Sequence, residues 1–475
     1  MTINLVRREF LKVGAGACAF CLAGGGFLGA SAAGAPMLIS PGCRKSKVKV
    51  AKIYLGIPNA HWPTPKMDIH NERQRYEDEF ASMNTEFADV DFVINELVTT
   101  KEQAEALKDK LGEVYGVLAI HLSMGVYGML PAILDAGKPT CLFAAPYSGH
   151  EWTGFGSLQK ERKGQLDVIL TSDLSQLAVG IRPFRAIHHL REAKILNVTE
   201  RALDPKFLES VAATFGTTVI PVNLARMMSV YNSIPDSAAE AETEVWMNGA
   251  TEVVEPPREE VFRSCKLALA FEKLMDEEEA TVITADCYGS MYRKLPAFPC
   301  IGFTRINDMG LAGICESDLE SALTFALFQG LSGRPGFISD PTMDGDRIIL
   351  AHCLGTRKMD GPQGEAAPYK LRTIMERQEG AVAQVKMRTG EKVTQARLVG
   401  TDLLLCFTGE ITDAPDVDRG CRTKITVKVD GDPESLWQNW SHGLHRVTCY
   451  GNISKDLKRF CGYKGIKYVD EAVVV

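Results

Sequence analysis

Several common signatures are missing from this chain, and each absence narrows its chemistry. The first strand-like stretch runs into Tyr54-Leu55-Gly56-Ile57-Pro58-Asn59-Ala60-His61 without a G-x-G-x-x-G turn, which argues against a nicotinamide-dependent oxidoreductase. No G-x-S-x-G elbow points to a serine or cysteine hydrolase. Of thirteen cysteines, Cys18 and Cys21 lie near the N-terminus, and the other eleven form no C-x-x-C pair, against a zinc knuckle or redox motif. Most read as small buried apolar residues, as Cys406 does in Leu403-Leu404-Leu405-Cys406-Phe407. There is no long basic run, and the formal net charge of −7 argues against nucleic acid as a main partner. Tandem repeats and low-complexity tracts are also absent.

What remains is the composition of a globular protein, 45% hydrophobic and 24% charged. At 475 residues it is too long for one ordinary core. Residues 1–35 read as a twin-arginine export signal. Arg7-Arg8 precede Phe10-Leu11-Lys12 and a Gly/Ala-rich stretch, with small-residue cleavage options at Ala30-Ser31-Ala32 and Ala33-Gly34-Ala35. An ordinary secretory signal and a membrane anchor are the alternatives, but abundant glycine makes the stretch a poor permanent span. The expected location is therefore periplasmic or otherwise extracytoplasmic, with the twin-arginine translocase as a transient partner. Cys43 is a poor lipid-attachment site.

After a linker at 36–47, strand and helix patterns alternate. Val48–Gly56, Asp91–Val98, Val114–Leu122, Pro139–Pro146 and Leu166–Thr171 read as strands, with a helix over Thr100–Leu111. A second α/β unit starts near 185, with strands at Ala193–Val198, Thr217–Pro221 and Ala280–Ala285 and a long helix over Pro257–Met275. Short alternating strands dominate beyond Gly333 (Gly336–Asp340, Arg347–Cys353, Val382–Arg388, Gln395–Thr408, Arg422–Val429, Arg446–Tyr450). The expected fold is α/β: two α/β domains with mainly parallel sheets (48–185 and 186–335), then a smaller antiparallel, barrel-like β domain (336–475).

The chemistry-bearing residues cluster late. Ser317-Asp318-Leu319-Glu320 fits a capping box, which predicts a helix starting at Ser317 and sets Glu316 one residue before its cap. Asp340 closes a predicted strand that Pro341 should end, and Asp344 and Asp346 read as turn residues. Trp440-Ser441-His442-Gly443-Leu444-His445 adds histidines just before a strand. Two carboxylates and an imidazole suit a hard divalent ion, Mn²⁺ first, with Mg²⁺ or Co²⁺ as alternatives. Taken singly, each of these residues has an ordinary structural reading.

The run Cys315–Thr324, then Leu331–Pro335, Asp340 and His352-Cys353, resembles the metal-site region of the L-fucose/L-arabinose isomerase superfamily. The stretch Leu444–Gly451, with Lys455-Asp456-Leu457 and Gly465-Ile466, is similar to that family's closing segment. The likeness covers roughly 280–475 and before that is architectural only. It implies two Rossmann-like domains plus a C-terminal β domain, Mn²⁺ held by Glu316, Asp340 and His445, and a homo-oligomer, trimer or hexamer, with shared sites. The chain departs from the family where Leu444 replaces the first histidine of a His-His pair, with His442 as a shifted substitute, and where His-Cys-Gly becomes His352-Cys353-Leu354-Gly355.

The resemblance implies aldose–ketose isomerisation of a sugar through an enediol, with Glu316 and Asp340 as the proton-transfer groups. A non-catalytic exported sugar-binding or scaffold protein that keeps the fold is the alternative. Sugar-contact candidates are Asp286 at a strand end, and His150 and Trp152 in Pro146-Tyr147-Ser148-Gly149-His150-Glu151-Trp152, with His61-Trp62. In the family such N-terminal residues complete a neighbour's site. His352 ends the strand after Asp340 and could serve as an extra ligand, but reads rather as a strand-end histidine packed in the core or beside the ligands, and His121 as a satisfied core histidine.

Overall fold

The computed structural model describes residues 46–474; the arginine pair, Cys18, Cys21 and Cys43 lie outside this range. The first five strands are β1 (Val48–Leu55), β2 (Val90–Val98), β3 (Gly116–His121), β4 (Thr140–Ala144) and β5 (Leu166–Leu170). They form a wholly parallel sheet in the order β2-β1-β3-β4-β5. All residues of β3 and β4 are buried, which is why these strands read as unbroken apolar runs. A second parallel sheet follows, ordered β10-β9-β6-β7, from β6 (Lys194–Val198), β7 (Thr218–Val222), a short β8 (Glu252–Val253) that pairs elsewhere, β9 (Val282–Ala285) and β10 (Ala312–Cys315). The helix Gln176–Glu192 runs through position 185 and packs on both the first sheet and the helix Leu319–Ser332.

The C-terminal strands are β11 (Phe337–Asp344), β12 (Arg347–His352), β13 (Tyr369–Arg372), β14 (Val382–Val385), β15 (Lys392–Val399), β16 (Leu403–Asp413), β17 (Thr423–Val429), β18 (Arg446–Tyr450) and β19 (Lys467–Asp470). Six of them close on themselves in the antiparallel order β15-β18-β11-β12-β17-β16, since β15 and β16 also pair. β19 adds parallel to β16, and β13, β14 and β8 make a small side sheet. This is the expected fold class: two parallel α/β sheets and a C-terminal antiparallel barrel.

Three local expectations need correction. The stretch 395–408 is a hairpin, not one strand, because the left-handed Gly400 turns the chain between β15 and β16. The helix predicted over 100–111 is two short ones, Lys101–Ala106 and Lys108–Leu111. Pro341 does not end its strand. β11 pairs with β18 only over Phe337–Ser339, so from Asp340 onward it is an edge on that side and needs no N–H from proline.

One apolar core joins the second sheet to the barrel: Ile314, Leu323 and Leu327 share it with Ala396, Leu404 and Val447. Burial here stabilises the relative placement of the two units as well as each alone. Arg446 opens β18 and donates to the Glu471 carboxylate at 2.9 and 2.6 Å, with both side chains fully buried. It also donates to the carbonyls of His445 (3.0 Å) and Ser441 (3.0 Å) and lies over the Trp440 ring at 4.2 Å. This guanidinium therefore holds the 440–445 segment in place. Glu471→Gln is expected to cost roughly 3–5 kcal/mol in urea unfolding, because it strands a buried cation; Arg446→Met combined with Glu471→Leu should recover most of that loss.

Candidate metal centre

Glu316 leaves β10 at the carboxyl end of the second sheet, the side on which parallel sheets bind ligands. Glu316 and Ser317 both have left-handed backbones, φ 65° and 57°, unusual for residues with side chains. The kink is held by Ser317, whose N–H donates to the Ala285 carbonyl (3.1 Å) and whose hydroxyl donates to Asn197. With that hydroxyl engaged, Ser317 does not cap the helix. Asp318 does, accepting from the Ser321 N–H at 3.0 Å, so the helix begins at Leu319. Glu320 does not complete a capping box; it bonds Arg397 (2.7 Å) and the Gly400 N–H (2.7 Å) on the barrel.

Asp318 links three parts of the fold. Its carboxylate takes two bonds from Arg397 of β15, at 2.7 and 3.2 Å, and one from His445 Nδ1 at 2.9 Å. With Nδ1 committed to the carboxylate, His445 Nε2 faces Asp340 Oδ1 at 3.1 Å and Glu316 Oε2 at 3.7 Å. His352, buried at the end of β12, places Nε2 at 3.8 Å from Glu316 Oε1, and its ring meets the His445 ring at 5.5 Å. Adjacent ligands around a divalent ion with bonds of about 2.1 Å are about 3 Å apart, close to these separations.

Asp340 Oδ1 and His445 Nε2 face each other at 3.1 Å without a well-aligned hydrogen bond, and both ring nitrogens of the buried His352 have no hydrogen-bond partner among the described residues. Each such atom costs about 1–3 kcal/mol when left unsatisfied. Ligand atoms from Glu316, His352 and His445 all lie within 4.8 Å of one another. The donor set of carboxylate oxygen and imidazole nitrogen fits a divalent cation.

The charges are arranged to suit. Burial pushes the Glu316 carboxyl up; Asp340, Asp318 and Glu376 add to this, and His445 opposes. Burial would also raise Asp318, but the His445 hydrogen bond and the Arg397 guanidinium hold it well below the usual carboxylate range. Burial acts the same way on Asp340, and is outweighed by His445 and His352, so its carboxyl is lowered. Burial and the nearby His445 push the His352 imidazole down to about 4, so it is neutral at ordinary pH. Burial disfavours the His445 cation, but its bonds to Asp318 and Asp340 push it up to about 10.

The structure thus brings Glu316, Asp340 and His445 together and adds His352. His442 and Leu444 are exposed in the preceding segment. Asp286 is buried and engaged locally, with the Ser290 N–H at 2.7 Å and Arg201 at 2.9 Å. Trp62, Tyr147 and His150 gather at the carboxyl end of the first sheet, with ring centroids 6.5 Å (Trp62–Tyr147) and 4.3 Å (Trp62–His150) apart; Trp152 is exposed in the same loop. His121 is a satisfied core histidine there, bonded to Ser148 (2.8 Å) and Glu151 (2.6 Å). Asp318 and Arg397 were missed by the sequence reading. The one signal for Asp318 was its place beside the cap, and Arg397 carried none.

No family model matches the chain. It is 22% identical over 291 residues to a sulfoquinovose isomerase from Clostridium sp. (strain MSTE9), covering 58% of this chain and 63% of that protein. A sulfoquinovose isomerase from Alkalicoccus urumqiensis is 24% identical over 298 residues, covering 58% and 65%. The chain is a distant relative of both. The match spans just under two thirds of either relative's length.

Two outcomes follow from the linkage of Asp318 to His445. If His445 is a ligand, Asp318→Asn is expected to weaken Mn²⁺ binding about 10- to 100-fold in calorimetric titration, since that histidine loses its charged anchor. Because an ion must displace the proton that His445 holds up to about pH 10, Mn²⁺ affinity should rise with pH, by up to about tenfold per unit between about pH 6 and about pH 8. An affinity flat across that range would contradict the assignment of His445 as a ligand.

Proposed function

We propose that the protein is a metal-dependent sugar isomerase that interconverts an aldose and its ketose through an enediol. The convergence of the Glu316 carboxylate with poorly satisfied buried atoms of Asp340, His352 and His445 carries this reading. The distant likeness to proteins named sulfoquinovose isomerase supports it. Mn²⁺ is the preferred ion, held by Glu316, Asp340 and His445, with His352 as a neutral fourth donor. Such an ion, when bound, supplies charge neutralisation for adjacent sugar oxygens.

The chain's own groups then handle the proton. Glu316, whose proton affinity burial has raised, takes the proton from the carbon beside the carbonyl and returns it to the neighbouring carbon. Asp340, held ionised, moves the hydroxyl proton. Asp318 and Arg397 touch neither sugar nor proton; they hold the His445 ring in its tautomer and orientation. The group of half-buried Trp62 with exposed His150 and Trp152 is proposed to contact sugar across a homo-oligomer interface. Export through the twin-arginine segment is part of the same proposal.

A panel of aldoses and ketoses including sulfoquinovose, L-fucose and L-arabinose, followed by NMR in heavy water with added Mn²⁺, tests the reading. Turnover should place solvent deuterium on the carbon that gains hydrogen, and Glu316→Gln should lower it at least about 10²-fold. Metal-loaded protein that binds sugar yet turns over none of the panel would point instead to a binding protein on the same fold. Product free of deuterium would mean either that Glu316 returns the same proton before it exchanges or that hydride passes between the carbons, and unchanged turnover in Glu316→Gln would then remove the enediol assignment.

A further inference from the structure

A second group of ligand-type side chains starts one residue beyond His352. Cys353 follows β12, Cys421 precedes β17, and Glu376 sits on the loop between β13 and β14. The two Sγ atoms are 3.9 Å apart. Glu376 spans them, with Oε2 3.8 Å from Cys353 Sγ and Oε1 3.2 Å from Cys421 Sγ. Both thiols are buried, whereas Glu376 reaches in from the surface. Pairing of His352 with Thr423 sets the two cysteines beside each other through the backbone of the barrel. Tyr288 donates to Glu376 Oε2 at 3.1 Å and so orients the carboxylate from outside.

A tetrahedral cation with sulfur ligands at about 2.3 Å and oxygen at about 2.0 Å separates two sulfurs by about 3.8 Å and a sulfur from an oxygen by about 3.5 Å. The sulfur–sulfur separation lies within a few tenths of an ångström of the first value, and each sulfur has one Glu376 oxygen, Oε2 for Cys353 and Oε1 for Cys421, within a similar margin of the second. A disulfide would need the sulfurs at about 2.05 Å, far closer than they stand. Hydrogen bonds from thiol to carboxylate account for single contacts, but they do not require two buried sulfurs to share one carboxylate at such spacing with one side toward solvent.

We propose that Cys353, Cys421 and Glu376 bind a borderline-soft divalent cation of the zinc type, with a water from the open side as fourth ligand. Its thiolate donors select a different ion from the oxygen and nitrogen donors around Glu316 and Asp340. The proposal stands whether or not the chain isomerises sugars. On binding, two S–H bonds break, two protons leave to solvent, and two metal–sulfur bonds form without oxidation or reduction. The bound ion ties the 373–381 loop to the barrel wall beside His352.

Cobalt(II) added to the reduced, chelator-treated full chain tests the site. We expect a near-ultraviolet thiolate-to-cobalt charge-transfer band that zinc abolishes on displacing the cobalt. Cys421→Ser should lose the band. Glu376→Gln, a change at an exposed side chain that leaves the core intact, should weaken cobalt binding by about tenfold or more. Absence of the band in the reduced parent protein would overturn the proposal, as would a band unchanged in Glu376→Gln or a band that persists in folded Cys421→Ser. If Cys421→Ser does not fold, the Glu376→Gln affinity decides.

Discussion

The chain of hydrogen bonds from Arg397 through Asp318 to His445 is the constraint on which the candidate centre depends. One carboxylate caps the helix Leu319–Ser332, receives a guanidinium from the barrel and fixes the tautomer of a histidine. A buried carboxylate with three such claims must stay ionised, and the His445 hydrogen bond and the Arg397 guanidinium together make this possible. Removing the carboxylate would leave the helix start, the β15 wall and the histidine without a common anchor. The candidate ligands come from the α/β unit and the barrel, and this bond network registers the two.

The same division of labour explains the apolar architecture. The core that runs from the second sheet into the barrel makes their contact a packed interior, which resists hinge motion. Glu316 projects from a strained kink at a strand end, while Asp340, His352 and His445 come from barrel strands or their ends. Backbone strain of about 1–3 kcal/mol per residue persists only where surrounding structure over-determines it. Here the bonds of Ser317 to Ala285 and Asn197 supply that determination.

Local pattern made the architecture legible, but not the support of the site. Apolar runs such as Gly116–His121 and Thr140–Ala144 announced parallel strands, and the alternating strands after Gly333 announced the barrel. Glu316 stood out at the end of its strand, and Asp340 because Pro341 read as closing one, although β11 runs on to Asp344. What failed was any feature set by partners far along the chain. Asp318 and Arg397 are 79 positions apart, so nothing near either residue reveals their bond. Pro341 continues a strand because β18 stops pairing after Ser339, a fact of register that the local sequence does not carry. His352 reads as a core histidine until its unpartnered Nε2 is seen to approach Glu316, with its ring beside that of His445.

The Arg446–Glu471 pair has a consequence for biosynthesis. The guanidinium that braces the 440–445 segment is itself neutralised by a residue beyond the last helix, on the far side of β19. A nascent polypeptide can form both parallel sheets while still tethered to the ribosome. It cannot secure His445 until Glu471 has emerged from the exit tunnel. The segment that carries His445 is thus braced only once synthesis has passed Glu471, 25 positions beyond the guanidinium it neutralises.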